Sequence, residues 1–291
     1  IKTFDNFQKA LIGAKPDVFI ISTPPNQHSQ YFLYAAKHKK HFFVEHPTTD
    51  KGYRNLGKLM DGSFVGVPSC TLRFNPAMKE IKKLITSGAI GKVLSFQYHM
   101  GQYLPDWHPW EDYRDVYFSK KETGACREMF AFELVWLTYA LGLSHITKIG
   151  GVTKKLSDLD MTADDYYAYT AQFGKGVMGS VVIDLLSRTP LRTLRIIGTE
   201  GVLDWEWQKY EIRVFNTKLK KWKIIKLKKG RSEKNYVTTE DMYEEEVGLF
   251  LDAIRGNKKY PFGFTENQKH LKALLALEKS AKNKKFIKLN G

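Results

Sequence analysis

DVFIISTPPNQHSQYFLYAAKHKKHFFVEHP, residues 17 to 47, holds two short apolar runs separated by a segment of helix length. The first run, Val18 to Ile21, closes on Ser22-Thr23-Pro24-Pro25, and Asn26 is placed to cap a helix passing through Ala35 and Ala36. The second, Phe42 to Val44, closes on Glu45-His46-Pro47. Buried parallel strands read as unbroken apolar runs, and two of them are joined only by a crossover, usually helical. The stretch therefore predicts a βαβ unit. Ligands of such sheets gather beyond the carboxyl ends of the strands. Proline stiffens both turns and withholds a backbone donor, which would hold Thr23, Glu45 and His46 at the crevice. Taken one turn at a time, ordinary punctuation by proline is the competing reading.

The pattern Asp-Val-x-Ile-x-Ser-Thr-Pro-Pro-x-x-His, a helix, and then His-x-x-Val-Glu-x-Pro resembles the second half of the nucleotide-binding domain in the glucose-fructose oxidoreductase, inositol dehydrogenase and MocA family. The resemblance continues through LRFNPA (Leu72 to Ala77), GAIGKV (Gly88 to Val93) and the closing helices, and so covers nearly the whole chain. It implies an α/β, Rossmann-like parallel sheet followed by an α+β domain with a large open, mostly antiparallel sheet covered by helices. It also implies NAD or NADP as cofactor and hydride transfer to or from a sugar, nucleotide-sugar or polyol. A homodimer or homotetramer built on the open sheet face is implied as well. Residues 1–72 would be the C-terminal part of the dinucleotide-binding domain, and 73–291 the substrate-binding and oligomerisation domain.

By the same resemblance Ser22, Thr23, Pro24, Pro25, His28 and Arg73 line the dinucleotide, and Glu45 meets the nicotinamide-side ribose. His46 stands where the family carries a lysine that handles the hydroxyl proton. Histidine is a workable replacement because its ordinary pKa of roughly 6.5 lets it exchange protons at neutral pH. A neutral ring hydrogen-bonded at a strand end is the alternative. Two departures stand out: Glu45-His46-Pro47 replaces the usual Glu-Lys-Pro, and the glycine-rich first turn is missing. The opening IKTFDNFQKALIGAKPD reads as the helix before a third or fourth strand, so about the first two strands are expected to be absent from this sequence.

With 291 residues and 43% hydrophobic content, two domains are expected. Cys70 and Cys126 are too few and too far apart for a disulfide framework or a zinc site, and no metal is expected. No apolar run approaches the roughly 18 residues that span a bilayer. No signal-peptide pattern opens the chain, and a soluble, cytoplasmic protein is expected. The net charge of +15 is spread over many lysines, with dense patches at Lys37 to Lys40 and Lys218 to Arg231. In the second, KLKKWKIIKLKKGR, lysines alternate with apolar residues as on the solvated face of an edge hairpin, where lysine also blocks edge-to-edge pairing. No helix-turn-helix, zinc-finger or RNP signature accompanies the charge, so neither a nucleic-acid nor a membrane partner is expected. Attraction of an anionic substrate or cofactor phosphate accounts for it at least as well.

Beyond Pro47, a helix is expected over Tyr53 to Met60 and a strand over Phe64 to Val67. The pattern changes near Ser69 to Arg73, where the domain boundary falls. A helix from Asn75 or Pro76 buries Ala77, Ile81, Leu84 and Ile85 and stops at Gly88. Val93 to Met100 alternates as a strand, and the loop Gly101 to Gly124 comes next, with two tryptophans, three tyrosines, His108, Arg114 and five acidic residues. Long ordered loops in compact domains are usually functional. Tyr98, Tyr103, Trp107, His108, Trp110, Tyr113 and Arg114 are therefore candidates for holding substrate, with an aromatic-stapled surface loop as the plainer reading. His108 is an alternative acid–base group.

The helix Ala125 to Leu141 resembles the family helix that carries an acid, a histidine four residues on and a second acid three beyond, on one face. Here those places hold Glu128, Phe132 and Val135. Phe132 carries no proton, so Glu128 remains as a substrate-binding or catalytic carboxyl, or as a structural ion-pair partner. Glu133 and Arg127 fall on flanking faces. Gly174 to Gly179 spells G-x-G-x-x-G, but a β-branched run comes after it where the dinucleotide fingerprint needs a helix, so these glycines predict a hairpin. Strands are expected from Ile146 to Leu227, then helices Met242 to Arg255 and Thr265 to Ala281, with Tyr236 or Tyr243 able to reach the cleft. A non-catalytic sugar-binding or partner protein on a degenerate dehydrogenase scaffold is the alternative function, motivated by the missing lysine and histidine.

Overall fold

The computed structural model describes residues 1–231 and 239–289. The chain opens with helix α1 (Phe7–Ala14), strand β1 (Val18–Ile21), helix α2 (His28–Lys37), strand β2 (His41–Val44), helix α3 (Tyr53–Leu59) and strand β3 (Gly66–Pro68). The three strands form a parallel sheet in the order β1-β2-β3, with Ile21 opposite Val44 and Val44 opposite Pro68. The expected βαβ unit is present, and the third strand starts two residues later than its apolar run predicts. Asn26 does not cap α2. A 3-10 turn, Pro25–Gln27, carries the chain into the helix, and Gln27 stands at the cap without a side-chain bond.

A 3-10 turn at Thr71–Phe74 then leads to α4 (Pro76–Thr86). Asn75 caps it, its Oδ1 accepting from the Ala77 backbone at 2.9 Å, and Gly88 lies just past its end with φ +72°, as the glycine stop requires. The rest comprises β4 (Val93–Gly101), the one-turn α5 (Leu104–Trp107), α6 (Ala125–Leu141), β5 (Ile146–Lys154), β6 (Tyr166–Phe173), β7 (Met178–Asp184), β8 (Leu191–Gly198), β9 (Gly201–Glu206), β10 (Glu211–Asn216), β11 (Lys221–Lys226), α7 (Asp241–Ile254), α8 (Phe264–Asn283) and β12 (Ile287–Lys288). Nine strands make one sheet in the order β11-β10-β9-β8-β4-β7-β6-β5-β12, antiparallel except where β4 meets β7. The lysine-rich segment is its edge hairpin, as the alternation predicts.

One face of the large sheet carries the core. Phe96, Tyr98 and Met100 of β4 point inward with Leu194 and Ile196 of β8, and α6, almost wholly buried, lies against them. The G-x-G-x-x-G segment makes the β6–β7 hairpin. Its last glycine is needed for packing: a Cβ on Gly179 would sit 2.4 Å from the Phe96 ring.

The two sheets are locked together around Ser69 to Arg73. Glu246 of α7, 1% exposed, accepts from the Cys70 backbone at 2.5 Å and from Thr71 Oγ1 at 2.5 Å, and Tyr260 donates to it at 2.7 Å. Arg73 donates to the carbonyls of Val135 and Pro261, each at 3.1 Å, pairs with Glu266, and lies over the Phe262 ring at 4.6 Å. Such a buried guanidinium is tolerable only because every direction it faces supplies an acceptor or a π-face. Among the described residues no helix is long and apolar enough to cross a membrane.

Candidate active site

The parallel sheet ends where the sequence places its two proline corners. The Glu45 backbone N–H donates to the Ile21 carbonyl at 2.8 Å, and that of Ser69 to the Val44 carbonyl at 2.8 Å, so the segments after β1, β2 and β3 lie side by side. His28, 2% exposed, donates from Nε2 to the Thr23 carbonyl at 2.6 Å and pins the Thr-Pro-Pro corner. Its burial lowers its pKa, which suits a neutral brace better than a charged contact. Ser22 is exposed, Thr23 and Pro24 are half-buried, and Pro25 is buried.

A cavity of about 600 Å³ opens between this corner and the inner face of the large sheet. Glu45 and His46 form one wall, Glu128 and Phe132 of α6 another. Trp107, His108 and Trp110 enter from the loop after β4, with His108 stacked on Trp110 at 5.1 Å and held to Glu111 at 2.7 Å. Arg192 at the start of β8 and Trp207 after β9 close the far side, and Tyr243 of α7 contributes to the rim. Thus His46, Glu128, His108, Trp107, Trp110 and Glu45, read from the sequence as site residues, share one cavity. A second cavity, of about 490 Å³, lies on the opposite face of the sheet among Gln97, His99 and Arg195 and is lined by no residue of the parallel sheet.

Several expected contacts lie elsewhere. Arg73 is spent in the buried network described above and does not line the cavity. Tyr98 points into the core, its hydroxyl donating to Glu133 at 2.6 Å. Tyr103 lies under the Arg188 guanidinium at 3.7 Å. The Tyr113 hydroxyl accepts from the Asp160 backbone at 3.0 Å, and Arg114 is an exposed partner of Asp112. Tyr236 lies outside the described residues.

The electrostatics of the cavity floor also differ from expectation. His46 is 4% exposed, and neither ring nitrogen has a hydrogen-bond partner among the described residues. Its edge meets the Phe132 ring at 6.1 Å and 81°. Desolvation brings its pKa down to about 4; the Ser69 backbone, near the ring but outside hydrogen-bonding geometry, opposes this only in part, so the ring is neutral at physiological pH. The carboxyls move the other way. Burial pushes Glu128 up to about 8, with a contribution from the neighbouring Glu45 charge and an opposing one from Tyr117. Glu45 is pushed up to about 7 by desolvation and then by Glu246, but its side chain is exposed at the cavity, which tempers that rise.

Tyr117, Arg192 and Trp207 escaped the sequence reading. Tyr117 is brought in by backbone geometry: a Cβ on Gly124 would fall 2.2 Å from the Phe118 Cα, so glycine alone lets the 3-10 turn Tyr117–Ser119 press against the start of α6. The Tyr117 hydroxyl then donates to Glu128 Oε1 at 3.1 Å. Arg192 had a usable signal, since in LRTLRIIG it shares the inward face with Leu194 and Ile196. Its partner is Glu133, fully buried on α6, which accepts from Arg192 Nε at 3.1 Å. Among the described residues no cluster of histidine, cysteine and carboxylate side chains could hold a metal ion.

Comparison with known proteins agrees with this architecture. The family described as "Oxidoreductase family, NAD-binding Rossmann fold" matches residues 1–60, and the "GFO/IDH/MocA C-terminal domain" matches residues 78–204. Levoglucosan dehydrogenase of Pseudarthrobacter phenanthrenivorans is 34% identical over 97 residues, which are 32% of this chain and only 24% of that protein. Among solved structures, an oxidoreductase domain protein from Kribbella flavida superposes with a TM-score of 0.81 at 17% identity, covering 98% of this chain and 84% of that one. A levoglucosan dehydrogenase in complex with NADH and levoglucosan gives 0.80 at 18%, covering 99% and 84%. Aldose-aldose oxidoreductase from Caulobacter crescentus, complexed with glycerol, gives 0.78 at 15%, covering 97% and 82%.

Proposed function

The chain belongs to the GFO/IDH/MocA oxidoreductase family, and on that footing we propose that it is an NAD(P)-dependent dehydrogenase or reductase acting on a secondary alcohol of a sugar, nucleotide sugar or polyol. Residues 1–72 contribute to the dinucleotide seat and 73–291 close over the substrate. The observation that carries the reading is a set of leftover polar atoms. Thr23 Oγ1, Thr48 Oγ1, both nitrogens of His46 and Glu128 Oε2 are buried without hydrogen-bond partners among the described residues, and His46 and Glu128 line the cavity at the strand ends. Buried polar atoms are normally satisfied, so this set calls for a ligand rich in hydroxyl and amide groups.

These residues fit the nicotinamide-ribose end of a dinucleotide. Thr23 and Pro24 would flank it, and Glu45, open to the cavity, would accept from ribose hydroxyls. When bound, the nicotinamide supplies the acceptor or donor of hydride. The chain's own residues hold the carbinol against it, exclude water and take or give the hydroxyl proton. Trp107, Trp110 and Trp207 offer flat apolar faces to the carbon side of a sugar ring, while neutral His46 can donate to one hydroxyl or accept from it. The relatives named above, one with NADH and levoglucosan and one with glycerol, support a small polyhydroxylated substrate.

The test is nicotinamide absorbance followed with NAD(H) and NADP(H) over a panel of sugars and polyols, beside calorimetry of each ligand. Turnover with at least one sugar-class substrate is expected. Binding of sugar without binding of either dinucleotide would replace this reading with a non-catalytic sugar-binding protein.

A further inference from the structure

Two positions that would carry a proton in the related pattern cannot do so here. Phe132 has no ionisable group. His46, 4% exposed and packed edge-on against Phe132 at 6.1 Å, stays neutral throughout the physiological range. A ring with so low a pKa is a weak base, and a side chain of higher proton affinity in the same cavity is the better acceptor of the hydroxyl proton. We propose that Glu128 is the proton-transfer residue and that Tyr117 is its positioning residue, fixing Oε1 so that Oε2 faces the substrate. The inference rests on the oxidoreductase reading above and says which side chain serves it.

The geometry assigns the two oxygens different tasks. Oε1 accepts from the Tyr117 hydroxyl at 3.1 Å, whereas Oε2 is buried and unpartnered in a side chain that lines the cavity. The carboxyl is faced by Glu45 and His46 from the end of β2, Tyr117 from the turn, His108 from the loop, Arg192 from β8 and Glu240 from the approach to α7. Arg192 is paired with Glu133 and His108 with Glu111, and of the charges around the cavity it is the Glu45 carboxyl that acts on Glu128. Burial above all, and the like charge of Glu45 after it, favour the protonated acid against the Tyr117 hydrogen bond, with a pKa of about 8. That value lies near working pH, where a general acid or base is most effective.

In the oxidative direction the substrate O–H bond breaks and its proton goes to ionised Glu128. The C–H bond would break with its electron pair leaving as hydride, for which a bound oxidised nicotinamide would be the acceptor, and a carbonyl would form. In the reductive direction protonated Glu128 would return the proton to the carbonyl oxygen while the carbonyl carbon takes the hydride that a bound reduced nicotinamide would supply. Oxidation should accordingly speed up as pH rises through about 8.

Tyr117→Phe tests the positioning role because it deletes one hydroxyl and keeps the ring that stacks on Phe118 at 4.6 Å. The lost bond stabilised the carboxylate, so the Glu128 pKa should rise by about half to one unit. Infrared difference spectroscopy should show a protonated carboxyl band that is missing in Glu128→Gln, titrates near pH 8 in the native protein, and titrates higher in Tyr117→Phe. The alkaline rise of kcat/KM for oxidation should move with it, and His46→Asn should leave its position unchanged. An infrared titration that Tyr117→Phe does not move, or a pH limb that His46→Asn displaces, would overturn the proposal even in an active enzyme. A shifted infrared titration in a protein with no nicotinamide turnover would uphold the carboxyl–tyrosine pair and sink the oxidoreductase reading instead.

Discussion

Replacing Glu128 by glutamine should stabilise the protein at alkaline pH and leave it nearly unchanged in acid. The folded carboxyl titrates at about 8, against 4.5 for the free side chain. Below pH 4.5 both states hold the proton and the group contributes nothing. Between the two values the unfolded chain releases its proton while the folded one keeps it, so stability falls as pH rises; above about 8 the full loss is present. The interval is about 3.5 units, and at about 1.4 kcal/mol per unit it amounts to about 5 kcal/mol. Glutamine is nearly isosteric, keeps an oxygen for the Tyr117 hydroxyl and has no ionisation to suppress. Its melting temperature should exceed that of the native protein by roughly 10 °C at pH 9 and match it near pH 4.5. Thermal or urea unfolding measured across that range checks this. Melting curves that run parallel at every pH would refute the placement of a buried ionisable carboxyl at the cavity floor.

Glu45→Gln removes the like charge beside Glu128 and so lowers its folded pKa; the alkaline loss of stability should be smaller and level off at a lower pH, as read from the same unfolding series. Glu133→Leu takes the acceptor from Tyr98, Trp136 and Arg192 together; leaving a buried guanidinium unpaired should cost about 3–5 kcal/mol in chemical denaturation. Gly124→Ala should lower stability by at least about 1–3 kcal/mol, because the added methyl meets the Phe118 backbone. It should also raise the Glu128 titration as Tyr117→Phe does, since it pushes Tyr117 away.

The fold was readable because its signals are local. The runs at Val18 to Ile21 and Phe42 to Val44, the Asn75 cap and the bounds of α6 come from period, turn chemistry and length. The G-x-G-x-x-G segment could be dismissed for the same reason, since it runs directly into strand β7 rather than a helix. Part of the candidate cavity's lining was legible on the same terms, through Glu45 and His46 at the second corner and the tryptophans of the loop. The rest depends on contacts between distant segments. Arg73 closes the boundary segment and has the charge of a ligand contact, yet Val135, Pro261 and Glu266 claim it. Tyr113 and Arg114 belong to a promising loop, but the turn tightened by Gly124 directs Tyr117 toward the carboxyl instead. The ordinary histidine pKa gives His46 a role that depends on solvent, and burial removes it.

The most direct measurement is a crystal structure of the protein with a reduced dinucleotide and a polyol. The nicotinamide ring is expected against Thr23, Glu45 and His46, with the reacting hydroxyl on Glu128 Oε2. A ring bound anywhere else, or a hydroxyl turned toward His108 with Glu128 untouched, would contradict this.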